Sequence, residues 1–273
     1  MEADVVIIGA GIVGLASAYK LVEAGRNVVL IDRLGIAEET SRGNAGAFAF
    51  SDIMPLATKD MWCKLPRWLA DPLGPLTVRW RYAPHVLPWL VRMLRHSSRS
   101  EVTRIATALR TLLAPIFEYY EPIVERAGAA ALMQRAGCLY VFSSQEAAAR
   151  WQWGMNLRRS LGVQMVDVGP DELDRLEPEL QGRFRFGLLA PENGSTRDPS
   201  ALVKAIHARC IADGAQSVRA SATGFERSAD RVTGVRLDHG EPVAADGVVI
   251  AAGAWSAPLA RALGSAVPLE AQR

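Results

Sequence analysis

The sequence predicts an α/β fold, with a largely parallel sheet domain at the two ends of the chain and an α+β domain inserted between them. Three observations predict it. Residues 2–33 read as strand, glycine turn, helix, strand and acid. The tail is rich in short strand patterns and ends on the apolar run Gly247–Gly253. The stretch between them mixes helical and strand patterns and does not continue the first sheet unit. The expected limits are 1–55 with 195–273 for the sheet domain and 56–194 for the insertion.

In order, Val5–Ile8 is a short apolar run suited to a strand buried on both faces. Ile12, Leu15, Ala16, Tyr19 and Val22 recur at helical spacing, and Gly25 stands where a helix C-cap is expected. Val28–Ile31 is a second buried strand, ended by Asp32. A polar, glycine-bearing stretch spans 38–47. The segment 61–99 holds Trp62, Trp68, Trp80 and Trp89 among basic residues, and prolines at 66, 72, 75, 84 and 88 predict short pieces. One long helix is predicted over 101–127. Strands follow over 139–142, 164–168 and 184–189, with helices over 145–161 and 170–176 between them and a turn at 191–194. Asp198 and Pro199 open a helix that runs to Asp213. Strands over 217–222, 231–237 and 243–250, then a helix over 254–263, complete the pattern.

The chain has 273 residues, 49% hydrophobic and 22% charged. A chain of this size buries roughly 70–75% of its unfolded surface, which excludes disordered and disulfide-stapled classes. The formal net charge of +2 gives no argument for a nucleic-acid partner. Cys63, Cys138 and Cys210 are far apart and odd in number, which points to buried thiols in a reducing, cytoplasmic compartment. No secretory signal and no apolar run of ~18 residues is visible, so the expectation is a soluble protein, at most bound to the inner face of a membrane. His85, His96, His207 and His239 are scattered without ligand partners, so no metal site is expected. The acidic run 171–179 reads as a solvated helix start.

The chemistry lies in Gly9-Ala10-Gly11-Ile12-Val13-Gly14. Gly9 permits a tight turn. Gly11 lets a pyrophosphate approach the backbone, and Gly14 lets helix and strand pack closely. The start of the helix offers N–H groups and partial positive charge to phosphate. Asp32 stands where a ribose-binding acid is expected and would repel a 2′-phosphate. The motif is that of a Rossmann-like dinucleotide site and accommodates FAD or NAD.

Four stretches resemble the D-amino-acid oxidase superfamily of FAD-dependent oxidoreductases, most of all its bacterial D-amino-acid dehydrogenase branch of small-subunit type. They are Asp4–Arg33, Ser41-Arg42-Gly43-Asn44-Ala45-Gly46, Arg197-Asp198-Pro199 and Val248–Ser256. The resemblance implies FAD as cofactor, its pyrophosphate at Gly9, Ala10, Gly11, Ile12, Val13 and Gly14. Asp32 would take the adenosine ribose, where relatives often have Glu, and Arg33 would flank the adenine. Ser41, Asn44, Ala45 and Gly46 would line the ribityl and flavin side, Ala252 and Gly253 would pass close to the cofactor, and a residue near Thr223 would touch adenine. The family's substrate-carboxylate ligands and a last glycine-rich FAD segment are expected beyond Arg273, in a longer protein, so no catalytic residue is assigned.

The implied reaction oxidises the carbon–nitrogen bond of a D-amino acid or related amine to an imine, which water hydrolyses to an oxo acid. Quinone and oxygen both stay open as electron acceptor. The rivals are a superfamily enzyme acting on a hydroxy acid or glycerol phosphate, a non-catalytic FAD-binding fragment and an NAD-dependent dehydrogenase. The Trp- and Arg-rich segment adds an expectation of peripheral membrane contact.

Overall fold

A computed structural model describes residues 1–55, 81 and 83–269. The chain begins with β1 (Glu2–Ile8), α1 (Ile12–Glu23), β2 (Val28–Asp32) and β3 (Ala47–Phe48). Three helices follow, α2 (Ala83–Arg95), α3 (Arg99–Leu113) and α4 (Ile116–Arg126). Next come β4 (Met133–Gln134), β5 (Cys138–Phe142), α5 (Gln145–Ser160), β6 (Val166–Val168), α6 (Pro170–Leu176) and β7 (Phe186–Ala190). The last part holds β8 (Gly194–Thr196), α7 (Pro199–Ala212), β9 (Gln216–Arg219), β10 (Ala222–Ser228), β11 (Arg231–Leu237), β12 (Val243–Ile250) and α8 (Ser256–Ala262).

These elements form two compact units. The first holds Met1–Ala47, Glu118–Gln134 and Ser195–Arg273; the second holds Phe48–Phe117 and Arg135–Gly194. In the first, a sheet of order β10-β11-β12-β1-β2-β9 is parallel from β12 to β9 and antiparallel at the β10–β11 edge. Successive side chains of a strand face opposite ways, so each central strand feeds two cores. Ile7, Val28 and Leu30 pack with Leu15, Ala18 and Tyr19 of α1 and with Val203 and Ile206 of α7. Val6, Ile8, Val29 and Ile31 pack with Phe225, Val235 and Leu259. Full burial of side chains this size contributes about 1.5–3 kcal/mol each. The β1–β2 pair is therefore a firm base for the turn between them. α1 ends where expected, with Gly25 at φ +76° donating its N–H to the Val22 carbonyl. Asp198 caps α7 by accepting from the Ala201 N–H at 2.9 Å.

In the second unit β7 lies between β5 and β6, antiparallel to both. Ala106 of α3 and Met155 of α5 pack there with Ile53, Phe142 and Leu188. A buried polar cluster sits beside this core. The Ser51 N–H donates to Asn193 Oδ1 at 2.8 Å, Asn193 Nδ2 donates to Ser51 Oγ at 2.9 Å, and Arg158 Nε donates to the Ser51 carbonyl at 2.9 Å. Desolvation pushes the Arg158 guanidinium below its ordinary range.

Several expectations need correction. The helix expected over 101–127 is two helices, α3 and α4, because Pro115 has no N–H for the Thr111 carbonyl and its ring crowds the turn before it. α2 forms straight through Pro84 and Pro88, where breaks were expected. Pro84 sits in the first turn, where no donor is needed, and Pro88 removes one bond. Trp62, Trp68, Trp80, Cys63 and the prolines at 66, 72 and 75 lie outside the described residues. The strand expected over 217–222 ends at Arg219, and the antiparallel strand β10 was missed. Its polar Thr223, Glu226, Arg227 and Ser228 dilute the apolar signal, and Phe225 is its buried apolar anchor. Segment 118–134, expected in the insertion, groups with the first unit because Ile123 packs into the α1–α7 core. Cys210 is buried, whereas Cys138 is only half-buried. No helix among the described residues is long and apolar enough to cross a membrane.

Candidate functional site

At the carboxyl ends of β1, β2 and β12 the first unit has a cleft of about 660 Å³, in the size range of cofactor sites. Its floor is the turn after β1. The Gly9 N–H donates to the Ile31 carbonyl at 2.8 Å, and Gly9 itself sits at φ +110°. A Cβ on Gly9 would run into the Ala251 carbonyl, and one on Gly14 would run into the Gly9 carbonyl. These two glycines are needed by the chain itself, where strand ends and helix start meet. At Gly11 a Cβ would come within 3.2 Å of Ser41 Oγ, filling the hollow over the helix start.

The first bond of α1 runs from the Leu15 N–H to the Gly11 carbonyl, so the N–H groups of Ile12, Val13 and Gly14 have no partner inside the helix. Ile12 finds one in Ser41, whose hydroxyl accepts at 3.1 Å. Val13, apolar yet 66% exposed, lines the cleft beside it. The loop that brings Ser41 here is tied down by the Ala37 N–H, which donates to the Ala10 carbonyl at 3.3 Å.

Asp32 ends β2 and organises the rim. Its Oδ2 accepts from the Ala10 N–H at 2.9 Å, and its Oδ1 accepts from Leu34 and Gly35, both at 3.0 Å. A carboxylate has about four acceptor positions, so one remains for a ligand hydroxyl. Arg33 stacks over the Trp255 ring at 4.4 Å and bonds Glu39 at 2.6 Å, which fixes a flat cation–aromatic pair on the cleft wall. The Lys204 ammonium, bonded to Glu38 at 3.1 Å and helped by Arg42, holds the Glu38 carboxyl below its ordinary range.

Of the residues singled out in the sequence, the structure brings Gly9, Gly11, Ile12, Val13, Asp32, Arg33, Ser41, Thr223, Ala252 and Gly253 to this one cleft. Ala10 acts through its backbone and Gly14 through packing. Ser41 sits at the helix start, where its hydroxyl meets the Ile12 N–H. Asn44, Ala45 and Gly46 do not line the cleft. Asn44 is spent on its own loop, accepting from the Gly46 N–H at 2.7 Å and donating to the Thr40 and Ser41 carbonyls. Gly46, at φ +64°, packs on Thr196 and Pro199 and accepts from the Thr196 N–H at 2.7 Å. Sequence reasoning missed Glu38, Glu39, Ala220, Ser221 and Trp255 as lining residues. Trp255 was discoverable, as a large aromatic two residues past a strand-ending glycine. Ala220 and Ser221 carry no such signal; the β9–β10 turn delivers them.

The residues present fit a dinucleotide cofactor such as FAD. A backbone hollow at Gly11 is kept open by the lack of a Cβ, helix N–H groups face it, and an acid and an aromatic wall stand one strand away. Comparison with known proteins agrees. The chain is 39% identical to a D-amino-acid oxidase of Bradyrhizobium diazoefficiens over 98% of its own length and 64% of that protein's. It is 31% identical to D-amino acid dehydrogenase 2 of Ralstonia nicotianae over 94% of its length and 61% of that protein's. It thus spans less than two thirds of these relatives. Among solved structures it resembles an L-amino acid deaminase from Proteus vulgaris, with a TM-score of 0.68 and 19% identity, covering 98% of this chain and 57% of that one. A glycine oxidase from Bacillus cereus gives a TM-score of 0.63 and 21% identity, covering 95% and 57%. At such identities the likeness is one of fold. The model of the family described as FAD dependent oxidoreductase matches residues 4–273, so with nearly its whole length inside that match the chain belongs to the DAO family of FAD-dependent oxidoreductases.

Proposed function

We propose that this chain holds the FAD of an enzyme that oxidises the carbon–nitrogen bond of a D-amino acid or related amine. The observation behind the reading is the cleft, where helix start, ribose acid and aromatic wall converge in a chain 39% identical to a D-amino-acid oxidase. When bound, the flavin supplies the acceptor for the hydride that leaves the substrate carbon.

The residues have separate tasks. The N–H group of Val13 takes a pyrophosphate oxygen with the aid of the helix dipole. The Ser41 hydroxyl, already accepting from Ile12, keeps its proton for a phosphate oxygen. The Asp32 carboxylate, aimed by three backbone N–H groups, accepts from an adenosine ribose hydroxyl and repels a 2′-phosphate. Arg33, braced by Glu39 and Trp255, flanks the adenine.

The test is the visible absorption of the purified protein, followed anaerobically on adding D-amino acids. A flavin spectrum that bleaches supports the reading. A flavin that ignores amines but bleaches with a hydroxy acid or glycerol phosphate transfers the proposal to that substrate class, and a colourless protein overturns it. Hydride leaves only when the amine is neutral, so the bleaching rate is expected to rise toward alkaline pH; a flat profile counts against carbon–nitrogen oxidation.

A further inference from the structure

We infer that α2 (Ala83–Arg95) is a membrane-surface element whose apolar side lies on a bilayer carrying anionic lipid. The inference does not depend on the oxidoreductase reading.

None of the residues of α2 is buried, although most are apolar. Ala83, Val86, Leu90 and Met93, spaced three and four apart, are half-buried. The row beside them is open, with Leu87 59%, Val91 38% and Leu94 40% exposed. At 3.6 residues per turn these three fall within an arc of about 60°. His85, Arg92 and Arg95 occupy a neighbouring arc of about 80°, and Trp89, 57% exposed, stands at the far border of the apolar side. Water does not favour such a face, and among the described residues packing in the second unit covers one edge of it.

Charge decides between partners. From Arg81 to Arg99 the sequence has Arg81, Arg92, Arg95, Arg99, His85 and His96 and no Asp or Glu. A protein partner would need an acidic rim around its apolar centre to match this one. An apolar face bordered by Arg92 and Arg95, with a tryptophan at its other edge, matches the acyl boundary and phosphates of an anionic lipid interface. With 13 residues the helix is about 20 Å long, too short to span a bilayer, so it lies along the surface.

The test is co-sedimentation of the full chain with mixed phosphatidylglycerol–phosphatidylcholine vesicles and with pure phosphatidylcholine vesicles. The expected result is binding at least about tenfold tighter to the anionic vesicles, weakened by salt. Arg92→Glu with Arg95→Glu should abolish that preference, and Leu87→Glu with Val91→Glu should abolish binding to either vesicle. Absence of anionic binding, or binding that both variants retain, overturns the inference. So does a dimer that Leu87→Glu with Val91→Glu dissociates while vesicles leave the wild type in solution, which makes this face a contact between copies. Should a variant fail to fold by circular dichroism, the wild-type comparison of the two vesicles decides alone.

Discussion

Two glycine-bearing segments of the first unit, Gly9–Gly14 and Ser41–Gly46, look alike in sequence and behave differently in the fold. The first lines the cleft with Gly9, Gly11, Ile12 and Val13, and Gly9 and Gly14 stand where strand and helix backbones touch. The second sends only Ser41 into the cleft, while Asn44 and Gly46 serve the loop and its contact with Thr196. A strand–turn–helix unit is made by neighbours in sequence, so spacing alone positions its atoms. A loop is placed by whatever it packs against, and spacing within it does not say which residue turns inward.

The largest effect is expected from Gly14→Ala. The added Cβ meets the Gly9 carbonyl, a backbone atom that cannot step aside, so urea unfolding should show a loss of at least about 3 kcal/mol. A smaller loss would mean that α1 shifts freely on β1. Next is Gly46→Ala, where a positive φ and the nearby Thr196 carbonyl predict a loss of about 1–3 kcal/mol. Gly43→Ala, in open space in the same loop, should stay within about 0.5 kcal/mol. Equal losses at 43 and 46 would erase the distinction between them.

Ser41→Ala removes the partner of the Ile12 N–H and a phosphate-facing hydroxyl. One hydrogen bond of about 1 kcal/mol predicts a roughly fivefold weaker FAD affinity by flavin fluorescence. Ala45→Ser, outside the lining of the cleft, should leave that affinity unchanged, and a matching loss would put Ala45 against the cofactor as the resemblance implies. The smallest effect is expected from Trp255→Ala. A cation–aromatic pair of about 0.5–1 kcal/mol predicts a two- to fivefold weaker affinity, with folding unaltered. No change would show that Arg33 keeps its place through Glu39 alone.

Legible in the sequence alone were the βαβ unit, the cleft at its centre, the ends of α1 and α7, and the family. The first three rest on period, glycine spacing and caps, all read within a few residues, and the family on the resemblance of four stretches along the chain. Tertiary structure alone decided that Ser41 reaches the helix start, that Trp255 backs Arg33, and that Ile123 brings segment 118–134 into the first unit. It also decided that β10 forms at all, since one buried Phe225 among polar neighbours is enough once β11 offers a ladder. Each of these pairs residues far apart in the chain, and such contacts depend on which surfaces remain to be covered after the local elements have formed. That α2 keeps its helix through two prolines, with its apolar side open, belongs to the same class.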